Sequence, residues 1–96
     1  MKDISFSLQK NSYLIRTRNI SFEDIVTNLA QKNTFVKVIE HPQPDKYPNQ
    51  HLLLIQIKKY IYVVPYVESS TVIFLKTIYP SRKYTKLYLG KNYGKK

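Results

Sequence analysis

The sequence predicts an α+β fold: two N-terminal helices packed on a four-stranded, mainly antiparallel sheet, followed by a basic C-terminal segment. Three observations lead there. Helical spacing of apolar residues is confined to the first third of the chain. From residue 34 the pattern changes to runs of β-branched and aromatic residues, and it stays so to residue 79. Turn-forming residues separate these runs. At 96 residues the chain is one domain, 1–96. A chain of this size buries somewhat over ~60% of the surface its unfolded form exposes.

The elements follow in order. Residues 3–8 alternate polar and apolar, which suits either a short first strand or a lead into a helix. Residues 8–17, with Leu8, Leu14 and Ile15, read as a short helix. Ser21 stands three residues before Asp24, a capping-box variant, with Ile20 and Ile25 at the staple positions. Phe22, Ile25, Val26 and Leu29 then form one apolar stripe, so a helix is expected over about 21–32. Its first turn carries Glu23 and Asp24, which the helix dipole favours.

Residues 34–40 read as a strand, and the three prolines of residues 41–50 demand a loop. Residues 51–57 form the next strand, Lys58-Lys59 a two-residue hairpin turn, and residues 60–67 the third strand. Pro65 implies an edge position or a bulge there. Residues 68–70 turn, residues 71–79 make the fourth strand, and Pro80 ends it. Residues 81–88 are basic and helical or irregular, and residues 89–96 are expected to be a flexible tail. Leu52 to Ile55 are apolar on both sides. The second sheet face must therefore be covered as well, by the tail, a partner or a ligand.

Composition narrows the function classes. The chain has no cysteine, which excludes disulfides, thiolate metal sites and a cysteine nucleophile. With few acids, a metal site lacks ligands, so no metal and no cofactor is expected. Glycine occurs only at positions 90 and 94, and no phosphate-cradling glycine loop or paired carboxylates appear. No apolar run approaches the ~20 residues of a membrane span, and the N-terminus lacks the core of a signal peptide. A soluble, cytoplasmic protein without membrane contact is the expectation.

Charge is the strongest positive signal. The formal net charge is +10. Residues 69–96 hold seven basic residues and no acid. A field of one sign speeds encounter with polyanions and binds phosphates by counterion release. Nine residues are tyrosine, five of them from position 66 onward. Rings interleaved with bases suit single-stranded nucleic acid, the rings stacking on bases and the cations holding phosphates. A solvated lysine tail is the plainer reading of the charge, and strand propensity that of Tyr60, Tyr62 and Tyr66.

Two stretches carry a family likeness. Ile20-Ser21-Phe22-Glu23-Asp24 and, after three strands, Leu75-Lys76-Thr77-Ile78-Tyr79-Pro80-Ser81-Arg82-Lys83-Tyr84-Thr85-Lys86-Leu87-Tyr88 resemble the BrnT-like toxins of the broad RelE-type group. The likeness spans about residues 20–88. Tyr84 stands where a small residue is common, Lys76 where Arg is frequent, and Thr17-Arg18-Asn19 replace a Lys-His-Gly. The resemblance implies a compact sheet with two N-terminal helices and metal-independent cleavage of mRNA that stops translation and growth. It also implies a cognate antitoxin that blocks the site, operator DNA being bound only through the joint complex.

Metal-free cleavage of RNA needs a base for the 2′-OH, an acid for the leaving oxygen and cations for the phosphate. Arg82 is the first candidate for the charge, since its fork holds two phosphate oxygens. Lys76 is a phosphate contact, or a base if its pKa falls from ~10.4. His41 and His51 bracket the proline-rich loop, whose closure would make them an acid–base pair. Tyr79, Tyr84 and Tyr88 are candidates for stacking or, with a lowered pKa, for proton donation, Tyr84 being included in the catalytic set. Ser81, Lys83 and Lys86 complete the candidate RNA contacts, Ser81 alternatively being a turn residue. Two other readings stay open: a non-catalytic RNA- or ribosome-binding module, and a toxin of the same fold that poisons a protein such as a topoisomerase.

Overall fold

A computed structural model describes residues 2–31 and 34–90. The elements run β1 (Asp3–Phe6), α1 (Leu8–Arg18), α2 (Phe22–Leu29), β2 (Val36–Glu40), β3 (Gln50–Ile57), β4 (Tyr60–Glu68), β5 (Val72–Leu75), β6 (Tyr79–Pro80) and α3 (Arg82–Leu89). The class is α+β, as the sequence predicts. The finer expectation is corrected: among the described residues three helices and six strands replace two and four. Sheet order is β1-β5-β4-β3-β2, with β6 also on β4. β1 pairs in parallel with β5, so the sheet is mixed.

The helices begin where the local chemistry dictates. Ser7 caps α1 by accepting from the Lys10 N–H at 3.1 Å. Ser21 and Asp24 form the full capping box of α2: the Ser21 hydroxyl accepts from the Asp24 N–H, and the Asp24 carboxylate accepts from the Ser21 N–H. Asn19 joins the two helices in the left-handed region at φ 55°, which asparagine tolerates. Helix α2 stops at Leu29, short of the expected residue 32, which lies outside the described residues. Buried Asn11 welds the helices, accepting from the Phe22 N–H at 2.7 Å and donating to Glu23 at 2.8 Å.

Proline sets the sheet's irregularity. Pro65 stands in the central strand β4, not at an edge, and the bulge it demands lies in the neighbouring chain. Tyr66 pairs with Leu75 and Val63 with Tyr79, so residues 76–78 stand opposite only Val64 and Pro65. Pro65 has no N–H to offer, and its carbonyl accepts from the Lys76 N–H at 2.8 Å. The expected fourth strand is thereby split into β5 and β6. The Ile78 carbonyl, turned out of the ladder, accepts from the Arg18 guanidinium at 2.6 Å.

The two faces carry separate cores. Leu14, Ile20, Phe22 and Ile25 of the helical elbow pack on Leu53, Ile55, Val64, Leu75 and Ile78. On the other face Leu52, Leu54, Ile61 and Val63 are covered by Tyr84, Tyr88 and Leu89 of α3, with Phe35 and Ile39 beside them. The C-terminal segment is thus the cover that the two-sided run Leu52 to Ile55 required. Leu89 and Gly90 belong to this packed helix and its cap, and residues 91–96 lie outside the described residues.

Candidate nucleic-acid interface

Helix α3 is seated by one polar residue. Beyond Pro80 the chain leaves the sheet, which deprives the Ile61 N–H of a strand partner. Thr85, fully buried, supplies one: its hydroxyl accepts from the Ile61 N–H at 2.8 Å and donates to the Ser81 carbonyl at 2.6 Å. Ser81 is the N-cap, its hydroxyl accepting from the Tyr84 N–H at 3.0 Å. It is buried. Of its two expected roles the structure displays the turn-and-cap role, and its hydroxyl faces the helix rather than solvent.

With Tyr84, Thr85, Tyr88 and Leu89 turned inward, Arg82, Lys83 and Lys86 stand exposed on the outer side of α3. Tyr84 and Tyr88 stack at 6.3 Å, and Tyr88 meets Phe35 at 5.0 Å. Lys83 lies 5.3 Å above the Tyr84 ring. Tyr79 pairs with Val63, which turns it to the same side of the sheet as α3. Lys76 projects from the bulge, exposed and 5.8 Å from the Phe74 ring. Lys76, Tyr79, Arg82, Lys83, Tyr84, Lys86 and Tyr88 therefore share one side of the molecule.

Among the described residues the one salt bridge joins Lys2 to Glu68, and Lys76, Arg82, Lys83 and Lys86 form none with a described carboxylate.

The histidines stand apart from each other. The loop does close, His41 donating its N–H to the Gln50 carbonyl at 3.3 Å. Glu40 pairs with His51, however, so alternation turns His41 to the opposite face. His41 stacks on Tyr47 at 4.4 Å and accepts from the Gln43 N–H. His51 stacks on Tyr66 at 5.5 Å, its Nδ1 buried without a hydrogen-bond partner. The expected acid–base pair is not assembled.

Tyrosine acidity also departs from expectation. Burial first, and the neighbouring Tyr84 second, push the Tyr79 hydroxyl above its ordinary pKa, not below it. Tyr79 suits stacking rather than rapid proton donation. Burial raises Tyr66 in the same way, with Glu68 adding to it.

Sequence reasoning missed one feature. A cleft of ≈ 950 Å³ opens between the α1–α2 elbow and the tip of the β3–β4 hairpin. Arg18, Lys58, Lys59, Tyr60, Tyr62 and Pro80 are among its lining residues. The available signal was Lys58 in a two-residue hairpin turn, where Gly or Asn is the usual occupant.

Comparison with protein-family models, with curated proteins and with solved structures gives no match.

Proposed function

We propose that this protein is the toxin of a type II toxin–antitoxin system, acting as a metal-independent endoribonuclease on mRNA. One observation carries the reading: an exposed cationic surface, without a salt bridge among the described residues, running from Lys76 in the bulge to Arg82, Lys83 and Lys86 on α3, with Tyr79 and Tyr84 among the charges. Such a surface holds a phosphate chain and stacks its bases. The sequence likeness to BrnT-like toxins at residues 20–24 and 75–88 supports the toxin assignment. The order of a helical elbow followed by an antiparallel meander agrees with it.

In this mechanism Arg82 clamps the scissile phosphate and stabilises its developing charge, and Lys76 supplies a second cation. Tyr79, the exposed ring of this set, stacks on a flanking base, while Tyr84 holds α3 and its cations on the sheet. The cognate antitoxin covers the same surface, its acidic groups neutralising the excess charge. The protein works in the cytoplasm, where mRNA and ribosomes are.

The test is cleavage of a defined RNA by the purified protein in EDTA, with Arg82→Ala as control. Wild type should leave a cyclic phosphate end, and the variant should lose at least about tenfold in rate, as loss of a transition-state contact predicts. The same assay with translating ribosomes covers a ribosome-dependent enzyme. Intact RNA in both assays, with RNA affinity that Arg82→Ala lowers, would favour a non-catalytic RNA-binding module instead. Full activity of Arg82→Ala would remove Arg82 from the mechanism.

A further inference from the structure

The geometry points to a second RNA contact: the cleft at the hairpin tip receives one nucleotide of the same single strand whose phosphates Arg82 and Lys76 hold. This inference rests on the RNA-binding reading and adds a subsite to it. Three features of the cleft carry it.

The first is continuity. Pro80 lines the cleft, and Arg82 follows two residues later at the start of α3. The cleft lies on the α1–α2 side of the sheet and the cationic surface on the α3 side, and β6, paired on one side only, is the edge around which a strand passes from one to the other. The second is chemistry. Arg18, Lys58 and Lys59 line the cleft with a single acid, Asp24, whose carboxylate is already engaged by the Ser21 N–H. Tyr60 and Tyr62 meet edge to face at 6.1 Å and 67°, a pair of ring surfaces of the kind that stack on a base. Asn28 and Gln31 bring side-chain amides to the same cleft, the donor and acceptor types that read a base edge. Arg18 is held at the wall by its bond to the Ile78 carbonyl, so its fork is oriented before any ligand arrives.

The third is backbone conformation. Lys58 has φ 60°, the left-handed region that favours glycine or asparagine. The hairpin turn alone is best served by glycine. A lysine held there against that preference marks a cation whose position matters.

The turn also yields a clean test, because Lys58→Gly removes the charge while improving the local backbone. Binding of a fluorescent single-stranded oligoribonucleotide is measured against salt for wild type, Lys58→Gly, Tyr60→Leu and Arg82→Ala, with thermal unfolding alongside. Lys58→Gly should melt no lower than wild type, weaken binding about threefold to tenfold, and reduce the salt slope by about one. An oligonucleotide with one abasic position should bind wild type more weakly at one register, and Tyr60→Leu should erase that difference. Weakening by Arg82→Ala but not by Lys58→Gly would overturn the cleft subsite and leave the RNA-binding reading standing. No binding of RNA by wild type would overturn both. Displacement of the RNA by polyglutamate as effective as by unlabelled RNA would overturn the nucleotide subsite in favour of an acidic protein segment.

Discussion

The two faces of the sheet are closed by different means. Under α1 and α2, nine buried side chains interdigitate, with buried Asn11 and the Ser21 box tying the two helices together. Under α3, four buried aliphatics meet two tyrosine rings, and the helix is pinned by Thr85. The first face is a core in the ordinary sense. The second is a cover whose inner side is packed and whose outer side carries the cations. Stability and charge presentation are therefore held by different elements, and each can be damaged with limited harm to the other.

The largest expected effect is on the first face. Ile25→Ala should cost about 2–5 kcal/mol, the range for deleting a fully buried aliphatic side chain. Urea unfolding measures it. If the loss is no greater than for an exposed residue such as Val26, the packing of this face has been misjudged.

Next comes the pin of the second face. Thr85→Val keeps the shape but strands the Ile61 N–H, at about 1–3 kcal/mol, while the Ser81 carbonyl keeps its bond from the residue 85 N–H. Hydrogen exchange should then rise in α3 more than in β3. Uniform loss of protection would mean that the cover and the core unfold as one unit, and would dissolve the contrast drawn above.

The smallest effect is a pH dependence at the elbow. The Asn11 amide, and secondarily the backbone, hold the Glu23 carboxyl below its usual pKa. A depressed carboxylate contributes stability above its unfolded pKa and loses it as pH falls through the folded one. Stability should therefore drop on acidification below the usual carboxylate range, and Glu23→Gln should flatten that part of the profile. An unchanged acid limb in Glu23→Gln would show that the Asn11 contact does not set it.

Local signals were the legible ones. The capping box of α2 and its staple residues were readable because every partner lies within five residues of the cap. Pro65 correctly demanded an irregularity, yet it could not say that the extra residue falls in the segment paired with it, between β5 and β6, since that depends on register. β1 stayed ambiguous because its partner is remote: Asp3 lies beside Val72. α3 was half-legible, in that Leu52 to Ile55 required a second cover and Tyr84 and Tyr88 shared a helical face. Of the candidate site, the cationic run from Lys76 to Lys86 could be read as a linear string. The divergence of His41 and His51 could not, because closing a loop does not decide which side of a strand each residue takes. The hairpin-tip cleft unites an elbow and a turn some forty residues apart in sequence, and no linear pattern records that.

The parallel pairing of β1 with β5 also orders events during synthesis. β1 leaves the ribosome before β5 yet must wait for it, because Val72 to Leu75 must be made before Asp3 to Phe6 have a neighbour. A nascent chain halted between Glu68 and Val72 can form the hairpin of β3 and β4 but has no parallel edge. It also lacks α3 and the cations that α3 carries. A chain that stops before Arg82 therefore lacks both the cover of the second sheet face and the cations proposed to hold RNA.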